Sequence, residues 1–324
     1  MKEAVVSVKN LSKTFRIFKS KGISSLFSRK YEDIKAVDDI SFEVYKEEFV
    51  GFIGQNGAGK TTTLKCLTGL LTADSGEVEV LGFDPKKRKH EYLSRIALVM
   101  GNKSQLWWEL PAIETFKLNK EIYEVSDEKF EEVVMEMVEL LGIEEVVNIP
   151  VRKLSLGERM KCEIVASLIH TPELLFLDEP TLGLDVVSQQ RLRDFLREYN
   201  KRYKASIVLT SHNMEDIKDL CKRVIIIDKG RKIYDGKIDD LARNFVKSKE
   251  IVFTLSAVAT HKEIEEVGKI VEFSGLSGVV SVPRESVASA SSKLLNNFQV
   301  EDLNIQEPSL EYIVKELFEG RYKV

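Results

Sequence analysis

Cysteine is scarce in this sequence: Cys66, Cys162 and Cys221 are the 3 in 324 residues, scattered without the spacing of a metal site. Cys66 and Cys162 fall inside helical patterns, where cysteine acts as a small core hydrophobe. Their scarcity excludes a disulfide framework and points to a reducing, cytoplasmic compartment. Long hydrophobic runs are missing too. No stretch approaches the ~20 apolar residues needed to cross a bilayer, and Met1-Lys2-Glu3 lacks the apolar run of a signal peptide. Any service to a membrane is therefore expected to go through a partner. Nor is one sign of charge in excess: 48 Lys and Arg oppose 52 Asp and Glu, a net −4. That balance supplies no basic field, and no nucleic-acid partner is expected. Repeats and low-complexity tracts are absent. What remains, 43% hydrophobic and 31% charged, suits a globular protein, and the length exceeds what one core usually organises.

From Ala4 to about Gly236 short apolar strands alternate with helical text, the pattern of an α/β domain. Val5–Val8, Ile40–Val44, Glu48–Ile53, Leu174–Leu177, Ser206–Leu209 and Arg223–Ile227 read as strands. About residues 90–170 the text turns helical. Phe130, Val133, Val134, Met137 and Leu141 recur at helical spacing between a Ser126 cap and a Gly142 stop. Beyond about Asp240, strand text at Ile251–Leu255 and Val279–Val282 accompanies helical text around Leu294 and Ile313. The expectation is one domain over 1–240, with a helical subdomain at about 90–170, and a small α+β accessory domain over 241–324.

Gly54-Gln55-Asn56-Gly57-Ala58-Gly59-Lys60-Thr61, followed by Thr62, comes between an apolar strand and a helix. That context suits a loop that wraps backbone N–H groups around a triphosphate. The helix start adds positive dipole, Lys60 a full charge, and Thr61 a hydroxyl for Mg²⁺. A glycine-rich turn with a chance lysine is the bland alternative. A second strand, Leu174-Leu175-Phe176-Leu177, delivers Asp178 and Glu179. Asp178 is placed to serve the metal and Glu179 to polarise a water attacking the γ-phosphate.

Leu154-Ser155-Leu156-Gly157-Glu158 precedes that strand and opens a helix. With the loop and the Asp178-Glu179 pair, it resembles the signature of the nucleotide-binding subunit of ATP-binding cassette (ABC) transporters. The fold so implied is α/β, a P-loop NTPase of the ABC ATPase type with a helical subdomain, here carrying the extra α+β domain. The resemblance covers about residues 4–240. Leu182-Gly183-Leu184-Asp185 resembles the family's D-loop, with Asp185 as its acid, and His212 resembles the switch histidine that contacts the γ-phosphate. Phe15 stands where an aromatic stacks on adenine, though it could instead belong to the core. By analogy Ser155, Gly157 and Glu158 cap an ATP held by a second copy or a paired subunit. The implied activity is ATP hydrolysis with Mg²⁺, driving a separate integral membrane permease from the inner face of the membrane. A soluble relative that remodels a macromolecular complex is the alternative.

The sequence also departs from the family. Where a glutamine normally touches the metal, Ile96–Met100 is followed by Gly101-Asn102-Lys103-Ser104-Gln105. Asn102 is nearer the expected position, and Gln105 is taken as the metal-side residue because asparagine is shorter. Trp107 and Trp108 follow, the chain's only 2 tryptophans. They either anchor the helical insertion or line a groove for a membrane subunit. The stretch from Gln105 to Pro111 resembles the branch that exports drugs, lipids or polysaccharides. Between Phe15 and Ala36 lies a basic, apolar insertion, read as a solvated loop with apolar staples, the alternative being a segment that lies against anionic lipid headgroups or the partner.

Overall fold

The computed structural model describes residues 3–18, 31–245 and 248–319. Most of the basic insertion, residues 19–30, lies outside these. The chain divides into two compact units, Met1–Asp235 and Gly236–Val324.

In the first unit β1 (Ala4–Phe18) and β2 (Tyr31–Tyr45) form one long antiparallel hairpin. The flanks of the insertion are therefore strand rather than loop: Arg16 pairs with Asp33 and Ile17 with Glu32. Next come β3 (Phe49–Gly54) and α1 (Lys60–Leu67), then β4 (Ser75–Val80), which returns to pair with β1 and complete a three-stranded sheet. A short α2 (His90–Leu93) leads into β5 (Ile96–Met100). The helical subdomain contributes α3 (Ala112–Ile122), α4 (Asp127–Leu141) and α5 (Leu156–Leu168). The chain then re-enters the main sheet with β6 (Leu174–Asp178), α6 (Val186–Tyr203), β7 (Ser206–Thr210), α7 (Met214–Leu220), β8 (Arg223–Asp228) and β9 (Arg231–Lys237).

The main sheet has the order β5-β6-β7-β3-β8-β9, and the pairs from β5 to β8 are parallel. Every residue of β6 and β7 is buried. That explains their unbroken apolar text, because a parallel sheet is covered on both faces. The order places the carboxyl ends of β3, β6 and β7 side by side. Ligands bind at that edge of open α/β sheets. In α4, Ser126 Oγ accepts from Lys129 N, Gly142 ends the helix at φ 61°, and Met137 and Leu141 are fully buried.

The second unit begins with α8 (Ile238–Phe245) and runs β10 (Ser248–Leu255), α9 (His261–Glu265), β11 (Lys269–Phe273), β12 (Ser277–Pro283), α10 (Val287–Asn297), β13 (Val300–Gln306) and α11 (Leu310–Phe318). Its antiparallel sheet has the order β11-β12-β10-β13. From β10 to β13 the order of elements is β-α-β-β-α-β, a ferredoxin-like arrangement. Ile251, Phe253, Leu255, Val280 and Val282 on one sheet face form a core with Ile264, Ala290 and Leu294. Alternation along each strand dictates this, since every second side chain points to the same face.

Candidate nucleotide site

β3 ends at Gly54, and the next five residues turn tightly before α1 begins at Lys60. Gly59 adopts φ 107°, and a Cβ there would come within 2.3 Å of Ala36 O, so no other residue fits. Lys60 folds back over the loop and donates to Gly54 O at 2.7 Å and Gln55 O at 3.3 Å. Lys60 is only 7% exposed. Burial lowers its pKa, while the charges of Glu179 and Asp178 act in the opposite sense. The Lys60 cation and the start of α1 thus face one space lined by the loop, the makings of an anion receptor.

Asp178 closes β6, and both its oxygens are engaged. Oδ2 accepts from Thr61 Oγ1 at 2.7 Å and Oδ1 from Thr210 Oγ1 at 2.7 Å. Thr61 and Asp178 therefore present a hydroxyl and a carboxylate together, the hard oxygen donors that suit Mg²⁺. Glu179 takes the left-handed conformation at φ 57°. For a non-glycine residue this is strained and typical of functional turns. Its amide donates to Thr210 O at 3.1 Å, and its Oε2 accepts from His212 N at 3.0 Å. Oε1 is buried and finds no hydrogen-bond partner among the described residues, although it lies 3.2 Å from His212 Nε2 and 3.9 Å from Lys60 Nζ. Burial raises the Glu179 pKa, against the pull of His212 and Lys60. An orphaned carboxylate oxygen aimed into a cavity costs about 1–3 kcal/mol unless a donor such as water completes it.

These groups line one cavity of about 470 Å³, together with Phe15, Asn56, Gly57, Thr62, Asn102 and Leu182. Phe15 is half-buried at its edge, with Lys13 Nζ 5.8 Å from the ring centre. Gly54 and Ala58 support the loop from beneath: Ala58 is buried in the core, and Gly54 offers its carbonyl to Lys60.

Gln105 is not on the cavity wall, and the expectation for it is corrected. Its side-chain amide donates to Ser167 Oγ and, at 3.4 Å, to Glu163 O, which turns it towards α5. Asn102 faces the cavity instead because Gly101 lets the chain press against β6. Gly101 N donates to Asp178 O at 2.8 Å, and a Cβ on Gly101 would stand 2.1 Å from Glu179 O. The two tryptophans do not anchor the insertion either: Trp107 and Trp108 are 55% and 54% exposed, while Leu106 beside them is buried.

The signature segment caps α5. Ser155 Oγ accepts from Glu158 N at 3.3 Å, and Glu158 Oε2 accepts from Ser155 N at 2.8 Å, a reciprocal capping box. The Ser155 hydroxyl, which also donates to Glu158 Oε2 at 2.8 Å, and then the Ser155 amide hold the Glu158 pKa down. Asp185 caps α6, accepting from Ser188 N at 2.9 Å, and this turn packs on Gly157, where a Cβ would meet Ser188 Oγ at 2.7 Å. The signature and D-loop residues thus form a second cluster beside the exposed Leu182, Val186 and Val187.

Sequence reasoning missed a buried network behind the cavity. Asp216 accepts from Arg193 Nη1 at 2.9 Å, Thr181 Oγ1 at 2.5 Å and Ser211 Oγ at 2.8 Å. Thr181 follows Glu179 by two residues and Ser211 precedes His212, so one carboxylate ties both catalytic-side loops. Thr210, which serves Asp178 and Glu179 together, was also missed. Its only signal was a hydroxyl at the end of an apolar strand.

A phosphate-cradling loop, a strand-end Asp-Glu pair and a capped signature helix on this sheet order define a nucleotide-hydrolysing cassette. Residues 37–182 match the family model "ABC transporter", and residues 247–306 match "EvrA-like ABC transporter, C-terminal domain". The chain is 35% identical over 218 residues to the ABC transporter ATP-binding protein NatA of Bacillus subtilis, covering 66% of this chain and 88% of that protein. It is 32% identical over 229 residues to the bacitracin transport ATP-binding protein BcrA of Bacillus licheniformis, covering 71% and 73%. A solved ATP-binding subunit of an ABC transporter aligns with TM-score 0.63 and 26% identity, covering 74% of this chain and 93% of that one. The dimeric ATP-binding cassette MJ0796, bound to ADP and Pi, aligns with TM-score 0.60 and 23% identity, covering 72% and 98%, a likeness of fold. The chain belongs to the ATP-binding proteins of ABC transporters and is an ATPase of that family.

Proposed function

We propose that this subunit binds Mg-ATP at the Lys60 loop, closes on a second copy and hydrolyses the nucleotide to drive export through a separate permease. The observation that carries the reading is the meeting of Lys60, Thr61, Asp178, Glu179 and His212 around one cavity. The loop amides and Lys60 hold the β- and γ-phosphates, and Phe15 offers a ring for the base. Thr61 and Asp178 would hold Mg²⁺, which supplies charge neutralisation across the phosphates when bound. Glu179, through its free Oε1, accepts a proton from the attacking water. His212 orients that water and the γ-phosphate. Ser155, Gly157 and Glu158 act on the nucleotide of the partner copy, with Asp185 beside them.

Binding favours closure because ATP bridges two surfaces, and loss of the γ-phosphate removes the bridge. Among the described residues no helix is long and apolar enough to cross a membrane. The transmembrane path is therefore assigned to the permease, with this subunit at the inner face. The export direction draws on relatives named for bacitracin transport, Nod factor export and linearmycin resistance. Phosphate release from purified chain in Mg-ATP tests the chemistry. Glu179→Gln is expected to reduce turnover by about 10²–10⁴-fold while leaving nucleotide binding intact. Unchanged turnover would remove Glu179 from the base's role.

A further inference from the structure

Glu163 is an acid where an amphipathic helix should carry packing residues. It sits in the middle of α5 and is 3% exposed. Such a carboxylate is costly unless donors surround it. All of its side-chain donors come from one segment: Ser104 Oγ, Gln105 N at 3.1 Å to each oxygen, and Leu106 N at 3.4 Å. Burial pushes the Glu163 pKa up, and these donors act against that push.

The neighbouring turns of α5 continue the grip. Residues 155, 159, 163 and 167 are spaced four apart and share a face. Ser155 is the signature serine. The Arg159 guanidinium lies 6.0 Å from the Trp108 ring centre. Ser167 Oγ accepts from the Gln105 amide and donates to Glu163 O at 2.8 Å. At its start the same segment is clamped to the catalytic strand through Gly101 N and Asp178 O, and its next residue, Asn102, faces the nucleotide cavity. At its end Trp108 O accepts from Arg152 N at 3.0 Å, in the stretch that leads to Ser155.

We infer that Glu163 is a positioning residue for ATP hydrolysis: its carboxylate pins the segment from Gly101 to Trp108 along the signature helix and so sets Asn102 beside the γ-phosphate position. The inference rests on the proposed function for its consequence, and on geometry alone for the pin. A glutamine at 163 keeps the volume but turns an NH₂ towards donors. An alanine removes both carboxylate acceptors and leaves only the backbone carbonyl.

The chain's 2 tryptophans, Trp107 and Trp108, both lie on the pinned segment, so tryptophan fluorescence, excited selectively over tyrosine, reports on it alone. Full-length chain and its Glu163→Gln and Glu163→Ala variants are compared by acrylamide quenching, by steady-state turnover in Mg-ATP, and by calorimetric titration with a non-hydrolysable ATP analogue. Quenching is expected to rise from parent to Gln to Ala. Turnover should fall about ten- to hundredfold, the cost of misplacing a group by about 1 Å. The analogue's Kd should stay within about twofold, since the Lys60 loop is untouched. If Glu163→Ala does not fold, Ser104→Ala, which removes one donor and leaves the acid, is expected to raise quenching by a smaller amount. Unchanged quenching in Glu163→Gln overturns the pin. Raised quenching with parental kcat overturns the positioning role. A parent chain that does not hydrolyse ATP refutes the functional reading instead, and quenching still judges the pin.

Discussion

Replacing Asp216 by asparagine should unravel the buried clasp behind the nucleotide site at a cost that can be worked out beforehand. Asp216 is fully buried and Arg193 is 3% exposed. The carboxylate answers three donors: Arg193, Thr181 and Ser211. An asparagine keeps one acceptor oxygen and turns an NH₂ towards the rest. Breaking a buried ion pair from one side costs about 3–5 kcal/mol, because the remaining charge stays uncompensated. Arg193 retains Asp219 at 3.4 Å and Glu215 at 3.7 Å, but these carboxylates are 41% and 69% exposed and solvent screens them. The lower end, about 3 kcal/mol, is therefore expected. At about 2–4 °C per kcal/mol for a unit of this size, Tm should drop by roughly 6–12 °C. Calorimetric melting of Asp216→Asn beside Asp219→Asn measures it, the second being expected to shift Tm far less. Turnover should fall in Asp216→Asn as well, because Thr181 and Ser211 flank Glu179 and His212. A Tm within 2 °C (about 1 kcal/mol or less) would refute the assignment of the clasp.

Further outcomes are open to direct test. Lys60→Ala should weaken the Kd for ATP by roughly ten- to hundredfold, since a charge-assisted hydrogen bond contributes about 1.5–3 kcal/mol; fluorescence titration with a nucleotide analogue checks this. Gly59→Ala should lose nucleotide binding in the same titration, because its Cβ would lie 2.3 Å from Ala36 O and its φ of 107° suits glycine alone. The pH dependence of kcat/KM reports groups of the free enzyme. Burial raises the Glu179 pKa, and the base must be ionised to accept a proton. The rate is thus expected to fall on acidification at a pH above the ordinary carboxylate range, and a limb at the ordinary value would contradict that environment.

Legibility tracked how local each signal was. The Gly54–Thr61 loop, β6 with its two acids and the Ser126 and Gly142 ends of α4 declare themselves in contiguous text, because strand burial, helix caps and positive φ are decided within a few residues. The edge strand β4 hid because most of its residues are exposed and Glu77 and Glu79 interrupt any apolar run. β11 and β13 hid for the same reason. The hairpin of β1 and β2 outran expectation since its far end is polar and held by cross-strand pairs such as Arg16 with Asp33. Gln105 was misplaced on side-chain length, whereas the backbone path from Gly101 decides which residue reaches the cavity. Glu163, Arg193 and Asp216 look like solvated helix charges until packing brings their distant partners together.

In the proposed cycle, nucleotide held at Lys60 in one copy is sealed by Ser155 of another. Sedimentation velocity of Glu179→Gln, with and without Mg-ATP, tests it most directly. A dimer that forms only with nucleotide, and is lost again in Glu179→Gln combined with Ser155→Ala, is the predicted result. A stalled variant that binds Mg-ATP yet sediments as a monomer would contradict it.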